Sequence, residues 1–317
     1  MVSSPAQLGV LPRTVGEHRS APLPLARRSD VRSLVLLGGA VRPTPFLTSI
    51  GRSVLDLPVR PHQTILDIWL GEAAQLHGAT LHARPEVRIL VNRAGVFPRA
   101  RARVDSLPIV IQTDPVEFRG TGGLLRDVVG HYGQNDYVVV GNASALLLRP
   151  LSPIIRQLRE TKGDVATVEH ADGSPVDLVM LRCGCLEVIP PIGYCDLKEQ
   201  GLLLMSRLHT VRVIRRNEPA SISARTLRGY ISALRRYYRG LTQVSEPGPF
   251  EEDWKPLFSV CEDGAEVHPS ARLHDAVVLR GGRVEREATV VGSVVCPGGV
   301  VPAGRTVVDS IVAACSQ

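Results

Sequence analysis

"QNDYVVVGNASALLLRPL", residues 134–151, leaves a polar turn, climbs a run of aliphatic residues, stops at Gly141-Asn142 and resumes as Ala-Ser-Ala-Leu-Leu-Leu. A short, continuous apolar run bounded by turn residues is the pattern of a parallel strand covered on both faces. Such a strand delivers its last residues to the crevice beyond the carboxyl ends of the sheet. Here that residue is the small, neutral, polar Asn142.

The same pattern recurs on both sides of this run. "VRSLVLLGG" is an aliphatic strand over Val31–Leu37 that ends in the double glycine Gly38-Gly39. "QTILDIWLGEAAQLHG" sets Ile65, Leu66, Ile68, Trp69, Ala73 and Leu76 on one helical face and closes at Gly78. "EVRILVNR" and "RARVDSLPIVIQT" are two further strands, and "TGGLLRDVVGHYG" is a helix from Gly122-Gly123 to Gly133. "SPIIRQLRETKGD" predicts a helix; "VATVEHADG", "VDLVMLRCGCLEVI" and "TVRVIRR" predict strands. "SARTLRGYISALRRYYRG" predicts a basic amphipathic helix. Alternation of strand and helix at this spacing predicts an α/β fold with a mostly parallel, Rossmann-like sheet over residues 31–245.

Composition agrees with an ordinary globular protein. The chain has 317 residues, 44% hydrophobic and 21% charged, and no apolar run long enough to span a bilayer. Lys162, Lys198 and Lys255 are the only lysines, so the net charge of +6 is carried almost wholly by arginine. The planar fork of arginine suits phosphate and carboxylate; a compositional bias of the genome accounts for the same excess. The six cysteines form no CxxC pair, and buried thiols in a reducing cytoplasm account for them, although Cys183-x-Cys185 with Cys195 leaves a metal site open. Residues 1–30 are rich in Pro, Arg and Ser without periodicity and predict a disordered tail.

"TQVSEPGPFEEDWKP" interrupts the pattern, and residues 246–260 are expected to be a linker. Beyond it, cut into sixes from Val267, the chain reads VHPSAR, LHDAVV, LRGGRV, EREATV, VGSVVC, PGGVVP, AGRTVV, DSIVAA. Aliphatic residues recur at the first position and Ala, Val or Thr at the fifth. A six-residue period predicts a small parallel β-helix over residues 261–317.

A βαβ domain followed by hexapeptide repeats resembles the sugar-nucleotidyltransferase (NDP-sugar pyrophosphorylase) family, whose C-terminal solenoid is a left-handed β-helix. In "LVLLGGAVRPTPFLTSIGRSVLDLP", Gly38 and Gly39 match the family's phosphate-binding glycines, Arg42 its arginine, and Arg52 stands where a catalytic lysine is expected. The resemblance therefore implies nucleotide binding at Gly38 and Gly39 and catalytic roles for Arg42 and Arg52. "EFRGTGGLLRDVV" resembles the segment lying along the nucleotide base, implying nucleotide contacts for Glu117, Gly120, Thr121 and Gly122. Asn142 falls where the family carries a magnesium-binding aspartate. The second family aspartate has no counterpart in "RNEPASISARTL", where Glu218 is the only acid. "SPVDLVMLRCGCLEVIP" and "IGYCDLKEQGLL" resemble the sugar-binding segments, implying sugar contacts for Cys183, Gly184 and Asp196.

Two functions follow. One is sugar-1-phosphate nucleotidyl transfer, with Mg²⁺ as cofactor only in that case. The other is a non-catalytic module that binds a nucleotide or NDP-sugar, or serves as a regulatory or scaffold subunit of an active relative. No metal ligand is assigned. The arginines of "RTLRGYISALRRYYRG" raise a third reading, a nucleic-acid surface, against plain solvation of an amphipathic helix. The expected setting is cytoplasmic, and the expected assembly is a homo-oligomer through the β-helix or a hetero-oligomer with an active relative.

Overall fold

The computed structural model describes residues 30–38, 44–76, 84–91, 95–99, 103–104, 107–113, 119–171, 173, 175–242 and 256–314. Ten strands of the α/β body are used below: β1 (Val31–Leu37), β2 (Glu86–Val91), β3 (Arg103–Val104), β4 (Leu107–Thr113), β5 (Tyr137–Asn142), β6 (Ala145–Leu147), β7 (Val165–His170), β8 (Pro175–Arg182), β9 (Val211–Arg216) and β10 (Ser221–Ser223). Its helices are α1 (Pro45–Ile50), α2 (Ile65–Gln75), α3 (Gly120–Val129), α4 (Leu151–Glu160), α5 (Leu202–Ser206) and α6 (Leu227–Thr242).

The main sheet has eight strands in the order β9-β7-β8-β5-β1-β2-β4-β3. Its centre is parallel, with β1 between β5 and β2. β8 runs antiparallel to both β5 and β7, so the mostly parallel sheet is mixed. Alternation along β1 sends Leu34 and Leu36 into one apolar layer and Val35 into the other. The first layer takes the buried faces of α1, α2, α4 and α6. The second takes α3, residues 183–189 and α5. Two apolar layers explain why the central strands carry no polar alternation.

α2 begins with a capping box, in which the Thr64 hydroxyl accepts from the Asp67 amide and the Asp67 carboxylate accepts from Thr64 N–H at 2.8 Å. The strand expected to run through "VDLVMLRCGCLEVI" stops at Arg182, and Cys183–Val188 turns into a 3₁₀ helix.

Residues 259–312 form three short parallel sheets. Ser259 pairs with Ala276, Val277 with Val294 and Val294 with Ile311, a constant advance of 17 residues that also spaces the hydrogen-bonded pair Ser293–Ser310. This arrangement is consistent with a β-helix. The repeat is 17 residues and not a multiple of six, so hexads cut from Val267 drift by one residue with every layer. Tight corners absorb the missing residue, with Asp275, Gly292 and Asp309 all at positive φ. Val277, Leu279, Val294 and Cys296 join the same core as Tyr230 and Leu234 of α6.

Candidate functional site

The centre of the site is the carboxyl end of β1. Leu37 is in register with Leu90 of β2 on one side and Asn142 of β5 on the other. Gly38 N–H donates to the Leu90 carbonyl at 2.7 Å, and a Cβ on Gly38 would lie 2.9 Å from that oxygen. Only a glycine lets the two chains approach so closely. Ala143 N–H donates to the Leu37 carbonyl at 3.1 Å. Gly38 and Asn142 therefore flank one strand end.

Asn142 is half-buried and its Oδ1 accepts from the Ser144 amide at 2.8 Å, an Asx turn that swings the chain into β6. The indole of Trp69 lies under this turn. Its Nε1–H donates to the Ala145 carbonyl at 2.8 Å, and a Cβ on Gly141 would come within 2.8 Å of the ring. β6 pairs antiparallel with β10, and the Ala224 amide donates to the Ser144 carbonyl at 2.7 Å. The Thr44 hydroxyl donates to the Arg225 carbonyl at 2.9 Å and accepts from the Leu47 amide to cap α1. Four segments thus meet here: Gly38, Thr44, Asn142–Ser144 and Ser223–Arg225.

The stretch "RNEPASISARTL" is brought to the Asn142 turn, and what it contributes is Ser223, Ala224 and Arg225. Its single acid, Glu218, is ion-paired to Arg149. The side chains that these segments set beside Asn142 carry no carboxylate, and the Asn142 carbonyl oxygen already accepts a hydrogen bond. Magnesium binds hard, anionic oxygen donors. Among the described residues no group of three His, Cys, Asp or Glu side chains could hold a metal ion. Among the described residues, the donors beside Asn142 do not fit a divalent cation.

Gly120, Thr121 and Gly122 open α3, with Gly120 at φ +70°. The amides of Gly122 and Gly123 both donate to the Cys195 carbonyl, at 2.9 and 3.3 Å. Two of the amides at this helix end, where the resemblance implies nucleotide contacts, are taken by the chain's own oxygen. The Thr121 hydroxyl donates to Asp196 at 3.0 Å and accepts from the Leu197 amide at 2.9 Å. Asp196 in turn caps the next segment, accepting from the Lys198 and Glu199 amides. Residues assigned to the two halves of a ligand are bonded to each other.

Cys183 and Gly184 are not brought to Asn142. Because β8 is antiparallel to β5, Leu178 lies opposite Gly141 and Arg182 opposite Tyr137, the first residue of β5. Cys183 and Gly184 follow Arg182 and donate to the Asp136 and Gln134 carbonyls at 2.8 and 2.9 Å, at the opposite end of the sheet. Burial pushes the Cys183 thiol up to about 12, so it is an inert, protonated core group. The Arg52 guanidinium is also committed, with Nη1 at 2.6 and 2.9 Å from the two Glu262 oxygens in the C-terminal sheets. Gly39, Arg42 and Glu117 lie outside the described residues.

Sequence reasoning missed Thr44, Trp69's place beneath the turn, Ser144 and Ser223. For Ser144 a signal existed, since Asn followed two residues later by a free amide is an Asx-turn pattern. For the others there was none, because β6 and β10 are three residues each.

No protein-family model matches the chain, and no curated protein sequence matches it. Among solved structures, it is similar to a Bacillus anthracis protein described as a glucose-1-phosphate thymidylyltransferase and solved with sucrose. The two are 11% identical and align with a TM-score of 0.51 over 69% of this chain and 98% of that one. Weaker likenesses are to HddC from Yersinia pseudotuberculosis and to a Mycobacterium tuberculosis protein solved with manganese. HddC is 11% identical, with a TM-score of 0.47 over 65% of this chain and all of that one. The second is 16% identical, with a TM-score of 0.43 over 65% of this chain and 98% of that one. At 11% identity the likeness is one of fold alone: the mixed α/β body has the fold of the Bacillus anthracis protein.

Proposed function

We propose that this chain is a sugar-nucleotidyltransferase-like protein that binds a nucleotide or nucleotide sugar in the crevice beyond β1 and β5 without metal-dependent transfer. It acts as a non-catalytic binding or regulatory subunit. The observation that carries this reading is Asn142, a neutral amide turned onto Ser144 N–H at the strand end where a carboxylate would be needed to hold magnesium. Attack of a sugar phosphate on a nucleoside triphosphate develops charge on the phosphates that a cation must offset. Loss of one such electrostatic contact commonly costs on the order of 10²–10³ in rate. Binding asks less, since successive backbone N–H groups at a strand end can hold an anionic group without a cation.

On this reading the C-terminal sheets are a left-handed β-helix, and the last layer, with Val300 and Val308 exposed, supplies the contact for assembly with another copy or with an active relative. The test is a thermal-shift and calorimetric screen of NDP-hexoses and NTPs, run in parallel with Mg²⁺ and with EDTA. A rise in melting temperature of equal size in both buffers is expected. It should come with no pyrophosphate release from NTP and hexose 1-phosphate. Steady pyrophosphate release would defeat the non-catalytic part, and a screen without any stabilising ligand would defeat the binding part.

A further inference from the structure

Each of the three C-terminal sheets ends on a strand whose outer edge pairs with no other strand among the described residues: Val300–Val301, Thr306–Val308 and Ile311–Val312. The core is uncovered at this end. Val290 and Val295 are 0% exposed, whereas Val307 and Val312, at the same positions one layer on, are only partly buried. The ladder fixes which backbone groups face outward. Thr289 N–H donates to the Arg305 carbonyl and Asp309 N–H to the Val291 carbonyl, both at 2.9 Å. Backbone groups alternate sides along a strand, so Arg305 C=O, Val307 and Asp309 N–H face the layer below. Thr306 and Val308 direct their N–H and C=O outward.

This edge is complementary to itself. Turned about a two-fold axis through Val307 and laid antiparallel, Thr306 comes opposite Val308 of a second copy, and each such pair can exchange N–H···O bonds in both directions. The Val308 carbonyl already accepts from the Ser310 hydroxyl at 2.6 Å, which leaves one lone pair. Val291, one layer back, shows the same carbonyl taking both the Ser293 hydroxyl and the Asp309 amide. Val307 meets its own counterpart as the close, non-hydrogen-bonded pair, which covers the apolar end. Arg305 and Asp309, both exposed, flank the strand and come opposite each other, once on each side of the axis. The Asp309 carboxylate lies over Gly292, so the longer arginine does the reaching. Other antiparallel registers set outward residues against inward ones, or leave Thr306 or Val308 opposite a corner.

We propose that the open end of the C-terminal sheets pairs with a second copy of this chain, edge to edge and antiparallel about Val307, to give a two-fold dimer. The inference rests on the assembly contact proposed above and not on ligand binding. An end face one layer across is smaller than the roughly 800 Å² per partner of a standard interface, so the dimer is expected to dissociate on dilution.

Sedimentation velocity on the full chain over a dilution series tests this, with a monomer–dimer equilibrium expected. Arg305→Glu and Asp309→Lys, each alone, set like charges opposite each other on both sides of the axis. Each is expected to raise the dissociation constant about tenfold. A lysine at a left-handed corner has a precedent in Lys162, at φ 52°. In an equimolar mixture of the two variants every such contact again joins opposite charges, and dimers as strong as the parent's are expected. Val307→Cys is expected to give, on mild oxidation, an intermolecular disulfide between the two substituted positions, identified by peptide mass. The proposal is overturned by a protein that stays monomeric, by a dimer indifferent to both charge reversals, by a mixture no stronger than either variant alone, or by cross-links that run only through other cysteines. Stabilisation by NDP-hexoses, measured on the same samples, is expected to be equal in parent and variants, so that the pairing and the ligand reading fail separately.

Discussion

Asn142 joins two functions in one side chain, since the oxygen that makes the turn is the oxygen a cation would need. Replacing it with aspartate leaves the acceptor for Ser144 N–H in place and adds a full charge. Asn142→Asp is therefore expected to fold, at a cost in unfolding free energy of no more than about 1 kcal/mol, the size of one hydrogen bond. It should also produce a magnesium affinity measurable by calorimetry where the parent has none. A variant that folds normally and still ignores magnesium would place the family's metal position elsewhere. Trp69 carries the opposite kind of dependence. Trp69→Phe strands the Ala145 carbonyl in a buried turn and opens space against Gly141, and should cost about 2 kcal/mol in urea denaturation. It should also weaken any ligand bound at Asn142, because the turn loses its floor.

At the scale of elements, the far end of the sheet is tied by one residue. Asp164 precedes β7; its carboxylate accepts from the Thr210 amide, before β9, at 3.0 Å and from Arg182, at the end of β8, at 2.8 Å. The Thr210 amide first, and Arg182 beside it, hold this carboxyl below the ordinary aspartate value of 3.8. A carboxyl that takes up its proton later in the folded state than in the unfolded one stabilises the fold fully above that ordinary value. The contribution is then lost as the pH falls through the lowered folded value. Asp164→Asn is expected to be less stable by about 1 kcal/mol at pH 7, with the gap to the parent closing as the pH falls below 4. A gap that persists in acid would mean that packing, not charge, is what the aspartate supplies. The elements themselves were legible wherever apolar pattern and turn residues coincide: β1, α2, β5, β7, β9 and α6 follow their sequence patterns closely. Strand direction was not, because an apolar run is the same forwards and backwards. The antiparallel course of β8 alone moves Cys183 and Gly184 to the wrong end of the sheet for a shared site with Asn142. The Gly120–Gly122 turn was recognisable as a glycine-rich helix start. That its amides are taken by Cys195 is a contact between residues more than seventy apart, and no local pattern carries it. The period of the C-terminal repeat was legible as β-structure but not as 17 residues, since the corner that shortens it varies between aspartate and glycine.

At the scale of the whole molecule, the C-terminal sheets and the α/β body share a core, which argues against independent unfolding. Phe258 and Val260 belong to the same apolar cluster as Tyr230 and Leu234, and Tyr238 stacks on Phe258 at 5.3 Å. The ion pairs Arg52–Glu262 and Arg235–Asp275 flank this contact. Asp275 also accepts from the Leu257 amide at 2.8 Å, so the segment entering the sheets is fixed by the same carboxylate. Two units so joined should open together, since exposing the face of either leaves apolar surface on both. Two buried thiols report separately on the halves: Cys185 lies in the layer under α3, and Cys296 in the core shared with the C-terminal sheets. Pulsed thiol labelling across a urea titration, resolved by peptide mass, is expected to give the two cysteines midpoints within about 0.2 M of each other. Glu262→Gln combined with Asp275→Asn should pull them apart, with Cys296 labelled first. If Cys296 reacts well before Cys185 in the parent protein, the C-terminal sheets are an appendage that opens independently of α6.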